Sequence, residues 1–127
     1  MAEQFILTSS VLLEWDSFRE EVFPMREIEK VWGAFQEAGR TLPEREQRNR
    51  KELNEFVLKI LDSNPEERAG ILSEAPTELK ILLVFRLLRA NDFFRSSADA
   101  RGGIRLPPGA NTPELIHDFF RDALIRS

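Results

Sequence analysis

Residues 76–94, PTELKILLVFRLLRANDFF, decide the fold of this chain. Projected as a helix, the segment is apolar on nearly every side, and the run from Ile81 to Leu88 is interrupted only by Arg86. In a globular protein, a helix that is apolar all round is normally the buried one. We therefore predict an all-α fold, a compact bundle in which the helix at 76–94 is central and is wrapped by the others.

Proline followed by glutamate marks the starts of several further helices. The tetrapeptides TLPE at 41–44, SNPE at 63–66 and NTPE at 111–114 each place a capping residue three positions before Glu. The cap accepts hydrogen bonds from free N–H groups, Pro supplies a helical φ, and Glu favours the positive end of the helix. A fourth start, APTE at 75–78, has Pro and Glu without the polar cap. Together with a first helix that Ser9 or Ser10 could cap and a second that Pro24 opens, these four starts predict about six helices.

Apolar residues recur every three or four positions between these starts, which is typical of helices with one buried face. Gly39 is expected to end the second helix, because Gly is favoured just beyond a helix C-terminus. The predicted faces are Val11, Trp15, Phe18 and Val22 in the first helix; Ile28, Val31, Trp32 and Phe35 in the second; Leu53, Phe56, Val57, Ile60 and Leu61 in the third; Ile71 and Leu72 in a short fourth; and Ile116, Phe119, Phe120, Ala123 and Leu124 in the sixth.

A length of 127 residues predicts a single helical domain over 1–127. We expect residues 1–8 to form an irregular N-terminal arm, since no second strand is evident to pair with Phe5, Ile6 and Leu7. The stretch 96–111, rich in Ser, Gly and Pro, is predicted to be one long flexible loop, either functional or a plain connector.

Composition narrows the classes of function. The chain has no Cys, which excludes disulfides, thiolate metal sites and cysteine nucleophiles and favours a reducing cytoplasm. The N-terminus does not resemble a signal peptide, and no apolar stretch approaches the roughly 20 residues of a membrane span. Ten Phe and no Tyr indicate core filling. Compactness and frequent Arg suggest a prokaryotic or phage source, although a GC-rich genome also explains the Arg usage.

Catalytic patterns are scarce. Glu114 and His117 have the i, i+3 spacing of carboxylate-bridged metal bundles, but such sites need two of these motifs and the chain has one His. We expect His117 to be exposed and not a ligand. Neighbouring carboxylates such as Glu20 and Glu21 point about 100° apart on a helix and do not converge. The prediction is that the chain is not an enzyme and holds no metal or cofactor; a carboxylate metal enzyme is the remaining alternative.

Charge is distributed unevenly along the chain and defines two candidate partner-binding regions. Residues 1–79 carry 10 basic and 17 acidic residues (10 − 17 = −7), and residues 80–127 carry 8 and 5 (8 − 5 = +3). In the first region, residues 44–52 contain no apolar residue and should project beyond the core as an exposed ridge, or form a self-compensated helix end. The second is an Arg patch running into the 96–111 loop. The candidate contacts are Arg45, Arg48, Arg50 and Lys51 in the first region and Arg86, Arg89, Arg95, Arg101 and Arg105 in the second.

The leading functional expectation is a small non-enzymatic protein-binding module of the adaptor, inhibitor, immunity or anti-defence type. Its acidic N-terminal half would complement a basic target protein, since opposite charges steer association. The alternative is a nucleic-acid-associated protein that uses the Arg patch of the C-terminal half, with an affinity that falls steeply with salt. Self-association through surplus Phe also stays open, and no membrane partner is expected.

Overall fold

The computed structural model describes the backbone of residues 5–6, 9–101, 105–106 and 113–126, and the side chains of 12–92, 114 and 116–125. Helices dominate this part of the chain, which confirms the all-α prediction. The helices are α1 Ser9–Val22, α2 Met25–Ala38, α3 Leu42–Arg48, α4 Arg50–Asp62, α5 Pro65–Glu74, α6 Thr77–Arg101 and α7 Pro113–Arg126; a turn of 3-10 helix covers Gly39–Thr41, and the strands are β1 Phe5–Ile6 and β2 Arg105–Leu106.

Helix α6, which contains the predicted central helix, lies at the centre of the bundle. Helix α6 contacts α1, α2, α3, α4 and α7, and its side chains at Leu82 and Leu83 have no exposed surface. It continues to Arg101, so the predicted loop boundary at residue 96 is wrong. The stretch 95–101 contains neither Gly nor Pro, and Gly102 is the first residue that disfavours helix. Most of the remaining predicted loop lies outside the described residues.

The N-terminal arm is not wholly irregular. Strand β1 pairs with β2 in antiparallel register, with Phe5 opposite Leu106 and Ile6 opposite Arg105. The prediction of an unpaired arm is wrong at these two positions. Its partner falls within the predicted loop, and two residues are too short for the alternation by which a strand is recognised in a sequence.

A break at Asn49 divides the predicted third helix into α3 and α4. The backbone of Asn49 leaves the helical region (φ −108°, ψ 16°), and its side-chain amide donates to the carbonyl of Arg45 at 2.9 Å. Helix α3 packs against α6, with Leu42 and Glu46 buried. The predicted exposed ridge at 44–52 is therefore wrong at Glu46, which turns inward to oppositely charged partners on α6.

Two predicted capping residues act at helix C-termini instead. The hydroxyl of Thr41 donates to the carbonyl of Ala38 at 2.6 Å, and that of Ser63 to Ile60 at 2.8 Å. Helix α5 is capped by the next residue, Asn64, whose side chain accepts from the backbone N–H of Glu67 at 2.9 Å. Proline therefore located this helix start correctly, while the cap lies one residue later than predicted.

Gly39 ends α2 as predicted, with a positive φ of 38° that disfavours any residue with a Cβ atom. Arg68 of α5 ties two other helix ends together. Its guanidinium donates to the carbonyls of Ile60 at 3.2 Å and Ser63 at 2.9 Å, at the end of α4, and to the carbonyl of Glu21 at the end of α1. These bonds tie the end of α1 and the end of α4 to α5.

Aromatic rings fill the contact between α1 and α7. Trp15 is fully buried, lies edge-on to Phe120 with ring centroids 5.3 Å apart, and donates from Nε1 to Oδ1 of Asn91 at 2.7 Å. The ring of His117 lies edge-on to Phe18 at 5.4 Å and is half-buried. The expectation of an exposed His117 is therefore wrong: although it lies about 100° from Ile116 around α7, its ring contacts Phe18 of α1.

Candidate functional site

A buried ionic cluster joins α3 and α4 to α6. We call Glu46, Asn54, Arg86 and Arg89 the arginine seam. Arg86 has no exposed surface and Glu46 only 8%. The Nη1 group of Arg86 donates to Oδ1 of Asn54 at 2.5 Å, and its Nε lies 3.6 Å from Oε2 of Glu46. Arg89 binds the other oxygen of Glu46 at 2.9 Å, so one carboxylate is shared by two guanidinium groups.

Some buried polar atoms of the seam lack a hydrogen bond. Among the described side chains, Nε and Nη2 of Arg86 and Oε2 of Glu46 are buried without a hydrogen bond. Burial lowers the pKa of Arg86 from its ordinary value; Glu46 opposes this shift, while the positive charges of Arg89 and Arg50 add to it. A buried cation in such surroundings depends strongly on its one carboxylate partner. The primary role that this geometry supports is to hold α3 against the central helix.

The nine predicted contact residues differ in their burial and in their ion-pair partners. The prediction that Arg86 is a surface contact is wrong, because the residue is fully buried. Arg89 is partly exposed, bound to Glu46, and lies 4.8 Å from the ring centroid of Phe85. Arg45 pairs with Glu78 of α6 at 3.3 Å. Exposed side chains are found at Arg48, Arg50 and Lys51; the side chains of Arg95, Arg101 and Arg105 lie outside the described residues.

The two predicted regions therefore meet at the seam, a contact that was not predicted from the sequence. Two signals were present in the sequence. Arg86 interrupts a run of apolar residues, and a buried Arg almost always needs a carboxylate. Glu46, Arg50 and Asn54 are spaced by four, which would place them along one side of a helix. A pairing of Arg86, which interrupts the apolar run, with the polar row that contains Glu46 would have suggested this ion pair.

A second surface stands out on α2. We call Met25, Glu29, Trp32 and Gly33 the α2 face; all four are exposed. Met25 is 49% and Trp32 42% exposed, although Trp32 was predicted to be buried. The Trp32 ring stacks on that of Phe35, with centroids 5.2 Å apart and an interplanar angle of 22°. Positions 25, 29 and 32 are spaced by four and three, so their side chains form one stripe along the helix.

Negative charge is concentrated on the same part of the chain. Residues 9–38, which form α1 and α2, contain seven acidic and three basic residues (3 − 7 = −4). This equals the net charge of the entire chain, −4, so all other residues together sum to zero. Most of this excess lies on α1, which has four acidic residues and one basic residue; α2 has three acidic and two basic residues (2 − 3 = −1). On α2, Arg26 and Lys30 are exposed, as are Glu29 and Glu37.

Other chemistry is sparse in the described part of the chain. A shallow groove of about 230 Å³ lies beside the start of α2 and is lined by Pro24, Glu27, Arg68 and Leu72 among others. The residues that can be described include no group of three His, Asp or Glu side chains arranged to hold a metal ion. Within those residues, no helix combines the length and apolar character that a membrane span requires.

Comparisons of this chain with protein-family models, with curated proteins and with solved structures find no match. The class that the fold defines is a small all-α bundle around a buried helix. A fold of this class hosts many unrelated functions, so the features that bear on function are the arginine seam and the α2 face themselves.

Proposed function

We propose that this protein is a small non-enzymatic protein-binding module whose α2 face contacts a basic surface of another protein. The observation that carries the proposal is the exposure of Met25 and Trp32 in one stripe on the acidic part of the chain. An absence of cysteine fits a partner met in a reducing, cytoplasmic compartment.

Trp32 is the expected energetic centre of the contact. Truncation of an interfacial Trp is among the most costly changes in protein interfaces, often about 2 kcal/mol or more. Stacking on Phe35 holds the indole on the surface of α2, so little side-chain entropy remains to be lost on binding. The net negative charge of residues 9–38 would mainly accelerate the encounter with a basic partner, and this contribution weakens as salt is raised.

Crosslinking in cells of the native host tests the proposal, with Trp32→Ala and Met25→Ala as test variants. Leu58→Ala is the matched control, because Leu58 is a similarly exposed apolar residue, at 39%, on α4. We expect one specific protein to be captured by the native chain and by the Leu58 variant, and lost with Trp32→Ala. The proposal is wrong if no specific protein is captured, or if both α2 variants capture it as well as the native chain does.

The nucleic-acid alternative is weakened by one structural fact. Arg86, one of its five predicted contacts, is buried and bound to Asn54 and Glu46. Arg89 shares the same carboxylate. A gel-retardation assay with DNA and with RNA at low salt addresses it directly: binding that falls steeply as salt is raised would favour this alternative over the protein-binding module.

A further inference from the structure

Helix α3 is attached to the central helix mainly by charged side chains. Its one buried apolar residue is Leu42. The polar interactions that join its side chains to the described side chains of α6 are ion pairs: Glu46 with Arg86, Glu46 with Arg89, and Arg45 with Glu78. The Arg45–Glu78 pair is partly exposed and therefore contributes little. The attachment of α3 thus depends chiefly on the carboxylate of Glu46.

This attachment leaves buried polar atoms without a hydrogen bond. In the described part of the chain, all such side-chain atoms belong to two residues: Oε2 of Glu46, and Nε and Nη2 of Arg86. Burying a polar atom without a partner is unfavourable, and water would satisfy these atoms if α3 moved away from α6. The docked arrangement of α3 therefore carries a free-energy penalty that its opening would remove.

Both ends of α3 adjoin a residue at which the backbone leaves the helical conformation. Gly39 has a positive φ of 38°, and Asn49 has a φ of −108° and a ψ of 16°. Between them, the chain is tied to itself, since the backbone N–H and the side-chain amide of Asn49 both donate to the carbonyl of Arg45, at 3.1 and 2.9 Å. Hinges are commonly a few residues at element ends that absorb a change in φ and ψ. Residues 40–48 are therefore bounded by two positions at which the chain can turn.

We infer that residues 40–48 form a strap that detaches from α6 as a unit and thereby uncovers Arg86 and Arg89. In the closed state, the carboxylate of Glu46 lies against both guanidinium groups, and Arg86 is fully buried. Opening carries this carboxylate away and leaves the two cations near Arg50, an exposed residue at the start of α4 whose positive charge already acts on Arg86. The strap thus controls access to three guanidinium groups, the chemistry that suits carboxylate or phosphate groups. This inference is independent of the α2 face.

Helix α5 provides a comparison within the same molecule. Like α3, it has one buried apolar residue, Leu72. Its Arg68, however, donates to carbonyls at the ends of α1 and α4, and no buried side-chain atom of α5 lacks a hydrogen bond. We therefore expect α5 to open less readily than the strap, although the two helices bury equally few apolar residues.

Native-state amide hydrogen exchange at low concentrations of urea measures the opening. A helix of seven residues is unstable alone, so its amides exchange when it detaches. The reporters are the backbone amides of residues 46–49. We expect them to share one opening free energy and one urea dependence, with protection lower by about tenfold or more than that of amides in α5 and in α6.

Glu46→Gln and Asp62→Asn are matched variants that show whether the ion pair holds the strap. Each removes one carboxylate from an ion pair between helices, and Asp62 pairs with Arg121 of α7 on the exposed surface. Both replacements retain the shape of the side chain, so both variants should fold, which their unfolding midpoints will verify. We expect Glu46→Gln to accelerate exchange at residues 46–49 by about tenfold or more, and Asp62→Asn to leave it within about twofold.

Modification by phenylglyoxal, followed by peptide mass spectrometry, shows whether opening uncovers Arg86. Arg50 is exposed and serves as the internal reference. In the native chain, we expect Arg86 to react more slowly than Arg50 by about a hundredfold or more. Glu46→Gln should raise the rate at Arg86 by about the same factor as amide exchange at residues 46–49, and should leave the rate at Arg50 unchanged.

Four results would overturn the inference. Residues 46–49 could exchange only in the global unfolding that exposes the amides of α6, or each could exchange separately with no dependence on urea. Glu46→Gln could leave their exchange unchanged. Finally, Arg86 could react only at the rate of global unfolding, in which case the strap does not cover it. None of these results depends on Trp32 or on a partner of α2.

Discussion

Replacing Glu46 should destabilise the protein far more than a substitution on an outer helix ordinarily does. In Glu46→Ala, the fully buried Arg86 loses its carboxylate partner, at 3.6 Å, and of its partners among the described residues keeps the carbonyl oxygen of Asn54. Leaving a buried charge unpaired costs about 3–5 kcal/mol. Arg89 is partly exposed and can turn to water, so its lost ion pair adds little. Since Asn54 still accepts a hydrogen bond, we expect a loss near the lower limit, about 3 kcal/mol.

Equilibrium unfolding in urea, followed by far-UV circular dichroism, measures this loss, because single domains of this size commonly unfold in two states. Arg86→Met is the informative partner variant, since it removes the buried charge and retains most of the side-chain volume. It leaves Glu46 paired with Arg89 at 2.9 Å, so we expect a smaller loss of about 1 kcal/mol. The double variant Glu46→Leu, Arg86→Met should recover most of the native stability, because apolar replacements of buried ion pairs are often neutral or stabilising.

Three results would contradict a coupled Glu46–Arg86 pair that holds α3 against α6. If Glu46→Ala costs no more than about 1 kcal/mol, Arg86 must reach water or another acceptor, and the carboxylate is not what holds α3 against α6. A larger loss for Arg86→Met than for Glu46→Ala would likewise contradict it, since the packing of the arginine stem would then matter more than its charge. A double variant whose loss equals the sum of the losses of Glu46→Leu and Arg86→Met measured singly would show that the two residues are not energetically coupled.

Three further substitutions test how the helix ends are held, each by its change in free energy of unfolding in urea. Arg68→Met keeps the aliphatic stem and removes the donors to three carbonyls, so we expect a loss of about 2–3 kcal/mol, with Arg68→Lys recovering only part of it. Gly39→Ala places a Cβ atom at a φ of 38° and should cost about 1–3 kcal/mol; unchanged stability would mean that the turn after α2 relaxes freely. Asn64→Ala removes the cap of α5 and should cost about 1 kcal/mol, whereas Asn64→Asp should retain most of the stability; equal losses in both would contradict the capping role.

The helical architecture was largely predictable from local signals. Pro65 and Pro113 begin α5 and α7 as expected, and Gly39 ends α2. The apolar run from Ile81 identified the central helix, because a segment that is apolar on all sides has no face to present to water. These features depend on residues within a few positions of one another, and such interactions are the ones that periodicity and capping patterns report.

The candidate sites depended on packing that no local pattern contains. Arg89 and Glu46 are 43 residues apart in sequence, and only the docking of α3 on α6 makes them partners. The polar stretch 44–52 predicts an exposed ridge when it is considered alone. Its Glu46 is buried because the buried cation Arg86, in another helix, requires a carboxylate partner. Trp32 is the opposite case, a residue predicted to be buried that is exposed. Its spacing assigns it to the apolar face of α2, but the neighbouring helices do not cover it.

For this protein, the sequence by itself determined that helices form, approximately where they begin, and which of them lies at the centre. Only the tertiary structure decided that Arg86 is a buried ion-pair residue and that Trp32 and Gly33 lie on an open face. The physical reason is that helix formation is dominated by near neighbours, whereas the burial of a charge or the exposure of a ring is set by which helices meet. The candidate function therefore rests on those contacts between helices and on the α2 surface that they leave open.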